Sequence, residues 1–319
     1  MSSGRAWRAA LAAVVSLSFL WLLLRDADVL PALSSITYAS PFWLIAGLAS
    51  LMIGYAGRIR RWQLMLRDEN PQIGFLQCGG PLIAGFALNN VLPFRVGDVV
   101  RCVGFSRELG VSRVTSTTSL VIERILDTLA LLVALGLAIV IFGQSSSRFL
   151  TVSGSLLITL GLLSTALLFF PKSVNVLLRG LALLGARALP RWTTVIDQIL
   201  HRTLSQWNAA TQTQALQTLI GWSSFIWMAE GITFYCVARS LLNVEFAAAA
   251  WLAFPIATLA TLLPGTPGHI GTFDFFAAQA LQMGGSSETV SIAFAVLVHA
   301  TLWIPVTVTG AIWLWMRRT

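Results

Sequence analysis

Charge is what this chain has least of. Only 11% of its 319 residues are Asp, Glu, Lys or Arg, while 56% are hydrophobic and the mean hydropathy is +0.78. So little charged surface cannot cover a water-facing exterior of this size, which excludes an ordinary soluble domain. Lysine is nearly absent: Lys172 is the one lysine among 21 basic residues. The three cysteines (Cys78, Cys102, Cys236) are odd in number and scattered, so they form neither a disulfide framework nor a metal pair. His201, His269 and His299 lack ligand spacing, and no metal or other cofactor is expected. Walker, GxGxxG, GxSxG and HExxH patterns are all missing, which removes the common nucleotide, hydrolase and metalloprotease chemistries.

What is present is long, continuous apolar sequence, the pattern of helical spans and not of an alternating β-barrel. The fold class expected is an all-α polytopic membrane protein. Six full spans are predicted: 9–24, 41–57, 118–142, 151–170, 216–237 and 289–316. Arg5 and Arg8 precede the first, which reads as a retained helix because no small-residue cleavage site follows it. Two further apolar stretches, 73–92 and 246–284, are interrupted by proline and glycine and read as re-entrant or broken hairpins. If either crosses fully, the number of spans becomes seven or eight. The arginines of 95–115 fall at roughly helical intervals, predicting an amphipathic interfacial helix, and 172–215 reads as an interfacial connector.

The formal charge of +8 would suggest nucleic acid in a soluble chain; here it predicts cytoplasmic loops facing anionic lipid, with no nucleic-acid partner. Seventeen basic residues fall in stretches assigned to the cytoplasm and three (Arg25, Arg148, Arg239) in outer loops, with Arg124 inside a span. That bias predicts a multi-pass protein of the cell (inner) membrane with both termini cytoplasmic. One membrane domain is expected: a first half 1–170, the connector 171–215 and a second half 216–319. The hairpins would then enter from opposite faces, as an inverted repeat requires.

Candidate functional residues cluster at the breaks. The first, Asn89-Asn90-Val91-Leu92-Pro93-Phe94-Arg95-Val96-Gly97-Asp98-Val99-Val100-Arg101, restarts with alternating charge. Arg95 and Arg101 can each grip a phosphate with two parallel hydrogen bonds, which lysine cannot. Asp98 would orient one of them. Asn89 and Asn90 either cap freed backbone groups or touch a ligand. Glu123, Arg124 and Asp127 lie within a span, where charge is costly. They form either an internal ion-pair network, with Arg124 or Arg95 neutralising the acids, or the lining of a polar cavity; both can hold. At the second break, Pro264, Gly265, Pro267, Gly268 and Gly271 make an irregular backbone whose N–H groups, with Thr266, could cradle a phosphate, or simply a turn. His269 caps that turn or meets ligand. Glu230 and Asp274 are candidates for a proton relay or for pairing with first-half arginines. Asp26-Ala27-Asp28 is similar to the acidic pair of membrane glycosyltransferases, but its loop is short and it is set aside.

The first block, with Arg107-Glu108-Leu109-Gly110-Val111-Ser112 and Glu123-Arg124-Ile125-Leu126-Asp127, resembles the flippase-like membrane family. That family includes the membrane domain of lysylphosphatidylglycerol synthase/flippase proteins and stand-alone chains of this length. Leu263-Pro264-Gly265-Thr266-Pro267-Gly268-His269-Ile270-Gly271-Thr272-Phe273-Asp274 fits its second block, and the likeness runs from the second span to the end. The family pattern usually has glycine at His269 and glutamate at Asp274. The soluble aminoacyl-transferase domain of some members is not found before Thr319, so aminoacyl-lipid synthesis by this chain alone is not expected. The resemblance implies translocation of a polar or anionic lipid (phospholipid, aminoacyl-phospholipid or lipid-linked precursor) between leaflets. Arg95, Arg101 and Arg124 would hold the headgroup. The alternatives are an integral-membrane transferase acting on a lipid-linked substrate and a scaffold for a lipid-modifying enzyme. Membrane lipids are the expected partners, a separate lipid-modifying enzyme is a further one, and a homo-oligomer is compatible with all three.

Overall fold

The computed structural model describes residues 3–25, 29–142, 148–241, 247–263 and 265–317. Asp26-Ala27-Asp28, the Gly143–Ser147 turn, Glu245 and Pro264 therefore lie outside the described residues. Thirteen α-helices and no strand are found among them. These are α1 (Ser3–Leu24), α2 (Val29–Thr37), α3 (Pro41–Leu66), α4 (Phe75–Val91), α5 (Val96–Val99), α6 (Arg113–Phe142) and α7 (Arg148–Phe169). They continue as α8 (Pro171–Ala188), α9 (Thr193–Ala210), α10 (Thr213–Ser240), α11 (Ala250–Ala260), α12 (Thr272–Met283) and α13 (Glu288–Met316).

Three helices are both long and apolar enough to cross a bilayer by length and composition: α3, α6 and α13. At about 1.5 Å per residue, each exceeds the roughly 30 Å of a hydrocarbon core. A fourth is reached if Thr159–Phe169 and α8 count as one span, although they bend by 92° between Phe169 and Pro171. This makes the chain a helical membrane protein. α10 is 28 residues long but less apolar, and it lies along α3. Small residues permit that contact: Gly47, Ser50, Gly54 and Gly57 share one face of α3, and Cβ atoms at the three glycines would sit 3.0–3.4 Å from α10 side chains. Ser50 Oγ adds a hydrogen bond to the Ala229 carbonyl at 2.7 Å.

Two expectations need correction here. The span expected to end at residue 57 runs on to Leu66, so Arg58 and Arg61 are helical and buried instead of belonging to a cytoplasmic loop. Residues 95–115 do not form one amphipathic helix. After Leu92, held extended as a residue before proline must be, Phe94 and Arg95 both take left-handed φ values of 63° and 51°. The chain folds back through α5 and a π-helical turn, Val100–Gly104, against α4. Gly97 makes this possible, because a Cβ there would lie 1.9 Å from the Gly85 carbonyl oxygen. The turn 105–112 then feeds α6, whose first turn is capped by Ser112 Oγ accepting from the Thr115 N–H.

The second broken segment is built alike. α11 and α12 pack on one another as a hairpin, joined through a tip with left-handed Gly268, His269 and Gly271. All three non-glycine residues with positive φ among the described residues, Phe94, Arg95 and His269, thus sit at the two tips. The tips meet: Arg95 Nη2 donates to the Thr261 carbonyl at 3.1 Å, and a Cβ on Gly268 would lie 3.4 Å from the Asn90 carbonyl oxygen. α13 braces α4 from the other side, with Gly310 against Ala87 and Ile83.

Two apolar cores result. One surrounds the second hairpin, α13, the earlier part of α3 with Leu51, and the later parts of α6 and α10 with Leu131 and Phe234. The other surrounds the first hairpin, α8 and α9, with Ile59, Ile122 and Leu219. Gly97→Ala should separate the arms of the first hairpin and lower stability by about 1–3 kcal/mol, the usual range for overpacking. Thermal unfolding in detergent measures it, with Gly136→Ala, which has open space around it, as the neutral control.

Candidate functional site

Where α3, α6 and α10 pass from one core to the other, they place charge instead of hydrocarbon. Arg58 precedes Ile59, Asp127 follows Leu126, and Ser223 lies between Leu219 and Trp227. An isolated charge in such surroundings would cost several kcal/mol, so each must find a partner. Arg61, fully buried, donates from Nη1 to Asp127 Oδ1 at 2.6 Å and to Ser223 Oγ at 2.7 Å. Trp227 Nε1 donates to the same carboxylate oxygen at 3.0 Å. Glu123, one turn earlier on α6, accepts from Arg101 Nη2 at 3.2 and 3.3 Å and lies 4.0 Å from Arg61 Nη2. Arg101 also stacks over Trp62 at 4.8 Å. Glu230 on α10 pairs with Arg58 at 2.5 Å, and the Arg58 guanidinium lies 4.6 Å from the Trp227 ring.

At the first tip, Arg124 Nη2 reaches both oxygens of Asp98, at 3.0 and 2.9 Å. Asn89 holds Asp98 twice, donating from Nδ2 to its carboxylate at 2.9 Å and accepting its backbone N–H on Oδ1 at 3.2 Å. That second bond caps α5. Arg95, half-buried, is different. Among the described residues it makes no ion pair within 4 Å and donates only to the Thr261 carbonyl. Arg95, Asp98 and Arg124 line a cavity of about 410 Å³ together with Leu120, Val121, Ile125 and Thr128 of α6 and Leu160, Leu163, Ser164 and Leu167 of α7.

The second tip offers different chemistry. Asp274, buried at the start of α12, accepts the Gly271 N–H on Oδ2 at 2.8 Å and lies 2.7 Å from His299 Nδ1 on Oδ1. The Thr266 backbone N–H donates to Ser16 Oγ at 2.8 Å, and the Thr266 hydroxyl donates to the Ile270 carbonyl. His269 Nδ1 has no hydrogen-bond partner among the described residues. Asn90 Nδ2 donates to Thr307 Oγ1 of α13 at 2.9 Å.

The candidate residues are therefore grouped differently from the pattern expected. Glu123 and Asp127 are neutralised by Arg101 and Arg61, not by Arg124 or Arg95. Asp98 engages Arg124, not Arg95 or Arg101. Glu230 does meet a first-half arginine, whereas Asp274 meets a histidine. Arg58 and Arg61 were missed because a run of arginines directly after an apolar stretch reads as a loop. Their three-residue spacing on the continuing helix was the available signal. Among the described residues no group of three His, Cys, Asp or Glu side chains is arranged to hold a metal ion.

Pairing of this kind makes single truncations costly. Glu123→Gln leaves Arg101 and Arg61, both at most 1% exposed, short of one negative charge, and should destabilise the protein by about 3–5 kcal/mol. Glu108→Gln, which breaks the exposed pair with Arg317, should change stability by no more than about 1 kcal/mol. Thermal unfolding of the two variants in one detergent compares them.

Comparison with known proteins agrees with this architecture on one point and is silent on another. A search of curated proteins found no match. The family model described as "Lysylphosphatidylglycerol synthase TM region" matches residues 9–310, and the chain belongs to that family.

Proposed function

We propose that this protein translocates an anionic phospholipid between the two leaflets of the membrane in which it sits. The family's name associates it with membrane-lipid chemistry, and a flippase is the reading that the site supports best. The observation that carries it is Arg95. Arg58, Arg61, Arg101 and Arg124 are matched by Glu230, Asp127, Glu123 and Asp98, which leaves Arg95 as the charge in this cluster without a carboxylate. It stands at the tip of a broken helix, in a cavity whose charged lining is Arg95, Asp98 and Arg124 and whose remaining lining is mostly apolar. Phosphate on the charged residues and acyl chain against the apolar ones would match that lining. Arg124 is the second cation on the cavity, and its bond to Asp98 is one a phosphate could share.

The finer topology belongs to the same proposal: six crossings, both termini cytoplasmic, and hairpins entering from opposite faces as an inverted repeat. It is supported by the likeness of the two hairpins, both with left-handed tips that touch. Such a layout brings helix ends and unpaired backbone to the midplane, where a headgroup must pass.

The test is a proteoliposome assay with fluorescent phosphatidylglycerol and a membrane-impermeant quencher. Wild-type protein should raise inter-leaflet exchange well above protein-free vesicles. Arg95→Ala should reduce that rate by roughly tenfold or more, as loss of a charge-assisted hydrogen bond implies, and Arg95→Lys should restore part of it. Equal rates for wild type and Arg95→Ala would refute the assignment. A covalent lipid product without exchange would replace it with a transferase.

A further inference from the structure

Asp98, Glu123, Asp127, Glu230 and Asp274 are the acids drawn into the apolar body, and the first four face arginine. A guanidinium does not give up its proton in a protein, so protonating any of those carboxylates would leave a permanent buried cation without its counter-charge. Asp274 differs. Its Oδ1 lies 2.7 Å from His299 Nδ1, and an imidazole is the side chain whose ordinary charge change falls near neutral pH. Among the described residues, every other acid in an ion pair faces an arginine. In this pair alone, both members can take up and release a proton.

The surroundings suit either charge state. With a neutral imidazole and an ionised carboxylate the pair carries one negative charge. Asp274 then has the Gly271 N–H on Oδ2 at 2.8 Å and a place in the first turn of α12, where the helix dipole favours an anion. One further proton makes the pair neutral overall, whichever atom holds it. The rings of Trp303 and Phe273, 4.3 and 5.2 Å from that of His299, can face a cationic imidazole. Both residues line a cavity of about 640 Å³ between α1 and α13, so the pair is not sealed into the core.

The second tip carries this charge to within reach of the first. The tips touch where Arg95 donates to the Thr261 carbonyl, and His269 interacts electrostatically with both Arg95 and His299. Other charged or titratable groups on the elements packed against α12 and α13 are matched or remote. α2, α4 and α11 bring only Cys78. Arg58 and Arg61 of α3 are held by Glu230 and Asp127, Arg60 bonds Gln63, and Arg239 of α10 lies over Trp43. In α1, Arg5 and Arg8 stand at least eight residues before Ser16, and in α13 Glu288 stands eleven before His299, about 12 and 16 Å along the helices.

We propose that the Asp274–His299 pair is a proton-binding site, and that a proton there favours an anion on Arg95. The proton removes one negative charge from the second tip, so an anion at the first meets less repulsion. By linkage, the anion promotes proton uptake by the same factor. The linkage rests on the reading that Arg95 holds a lipid phosphate, and it gives lipid movement a way to draw on a proton gradient.

Two measurements separate the site from its linkage. Full-length protein without a polyhistidine tag, carrying His201→Gln and His269→Gln, has His299 as its one imidazole. With histidine labelled by nitrogen-15, the ring shifts should move between about pH 5.5 and about pH 8. Asp274→Asn, which keeps an oxygen for the Gly271 N–H, should displace that titration to lower pH, because the carboxylate favours the charged ring. Calorimetric titration of the same protein with short-chain phosphatidylglycerol, in two buffers of different ionisation enthalpy, counts the protons taken up on binding. Affinity should rise roughly fivefold or more from about pH 8 to about pH 5.5, with net proton uptake, a usual size for coupling between two sites. Adding His299→Gln should remove the pH dependence, and Arg95→Ala should weaken binding at both ends of the range. Ring shifts that stay constant over this range, or a titration unchanged by Asp274→Asn, would overturn the proton site without recourse to the His299→Gln variant. A titrating ring with pH-independent affinity, or a pH dependence that survives His299→Gln, would overturn the linkage. If Arg95→Ala leaves the affinity unchanged, the phosphate reading fails and the linkage with it, while the ring titration still decides the proton site.

Discussion

An arginine cannot be left alone in hydrocarbon, and that constraint organises this molecule. Arg58 and Arg61 of α3, Arg101 of the first hairpin, and Glu123, Asp127 and Glu230 of α6 and α10 are all buried or nearly so. Each finds its opposite on a different helix, so the pairs tie four elements at the level where one apolar core gives way to the other. Such pairs add little net stability compared with hydrocarbon of the same volume, because desolvation offsets the attraction. What they supply is register. A helix that slid by one turn would strand a charge, and the cost of that is large.

The hairpins depend on this frame. Neither tip is a comfortable conformation: consecutive Phe94 and Arg95 are left-handed without being glycine, and so is His269. Conformations of that kind persist only where the surroundings over-determine them. Here the over-determination is visible. Asn89 grips Asp98 through two hydrogen bonds, Gly97 lets the return arm touch α4, and Arg124 and Arg101 anchor that arm to α6. Facing it, Asp274 ties Gly271 to His299, and Ser16 of α1 binds the Thr266 backbone. Polar groups held open between two such tips are available to something other than protein. The tips differ in what they carry: on one, a guanidinium with no carboxylate partner among the described residues, on the other, a carboxylate held against a histidine.

Several parts of this were legible from residue order. The low charge and unbroken apolar stretches require a helical membrane protein, and Pro93 and the Pro-Gly run around Gly268 mark both places where a helix must stop. Glu123 and Asp127 one turn apart implied a shared face, and they do share one. The partners were not legible. Arg61 and Asp127 are 66 residues apart and Arg58 and Glu230 are 172 apart, and nothing local in either sequence names the other. The extension of α3 to Leu66 was hidden for a related reason. Arg58-Ile59-Arg60-Arg61 is polar on its own terms, and only packing against α6 and α10 makes it interior.

Sequence by itself thus determined the solvent the chain lives in, the existence of two breaks, and the chemical types gathered at them, because these follow from transfer energies and local backbone sterics. Tertiary structure alone decided which charge meets which. Five arginines and four acids allow many pairings of nearly equal Coulomb energy, and the choice among them is made by helix contacts that small residues such as Gly54, Gly97 and Gly310 permit. That choice is what leaves Arg95 over, a guanidinium at the first tip with no carboxylate partner among the described residues.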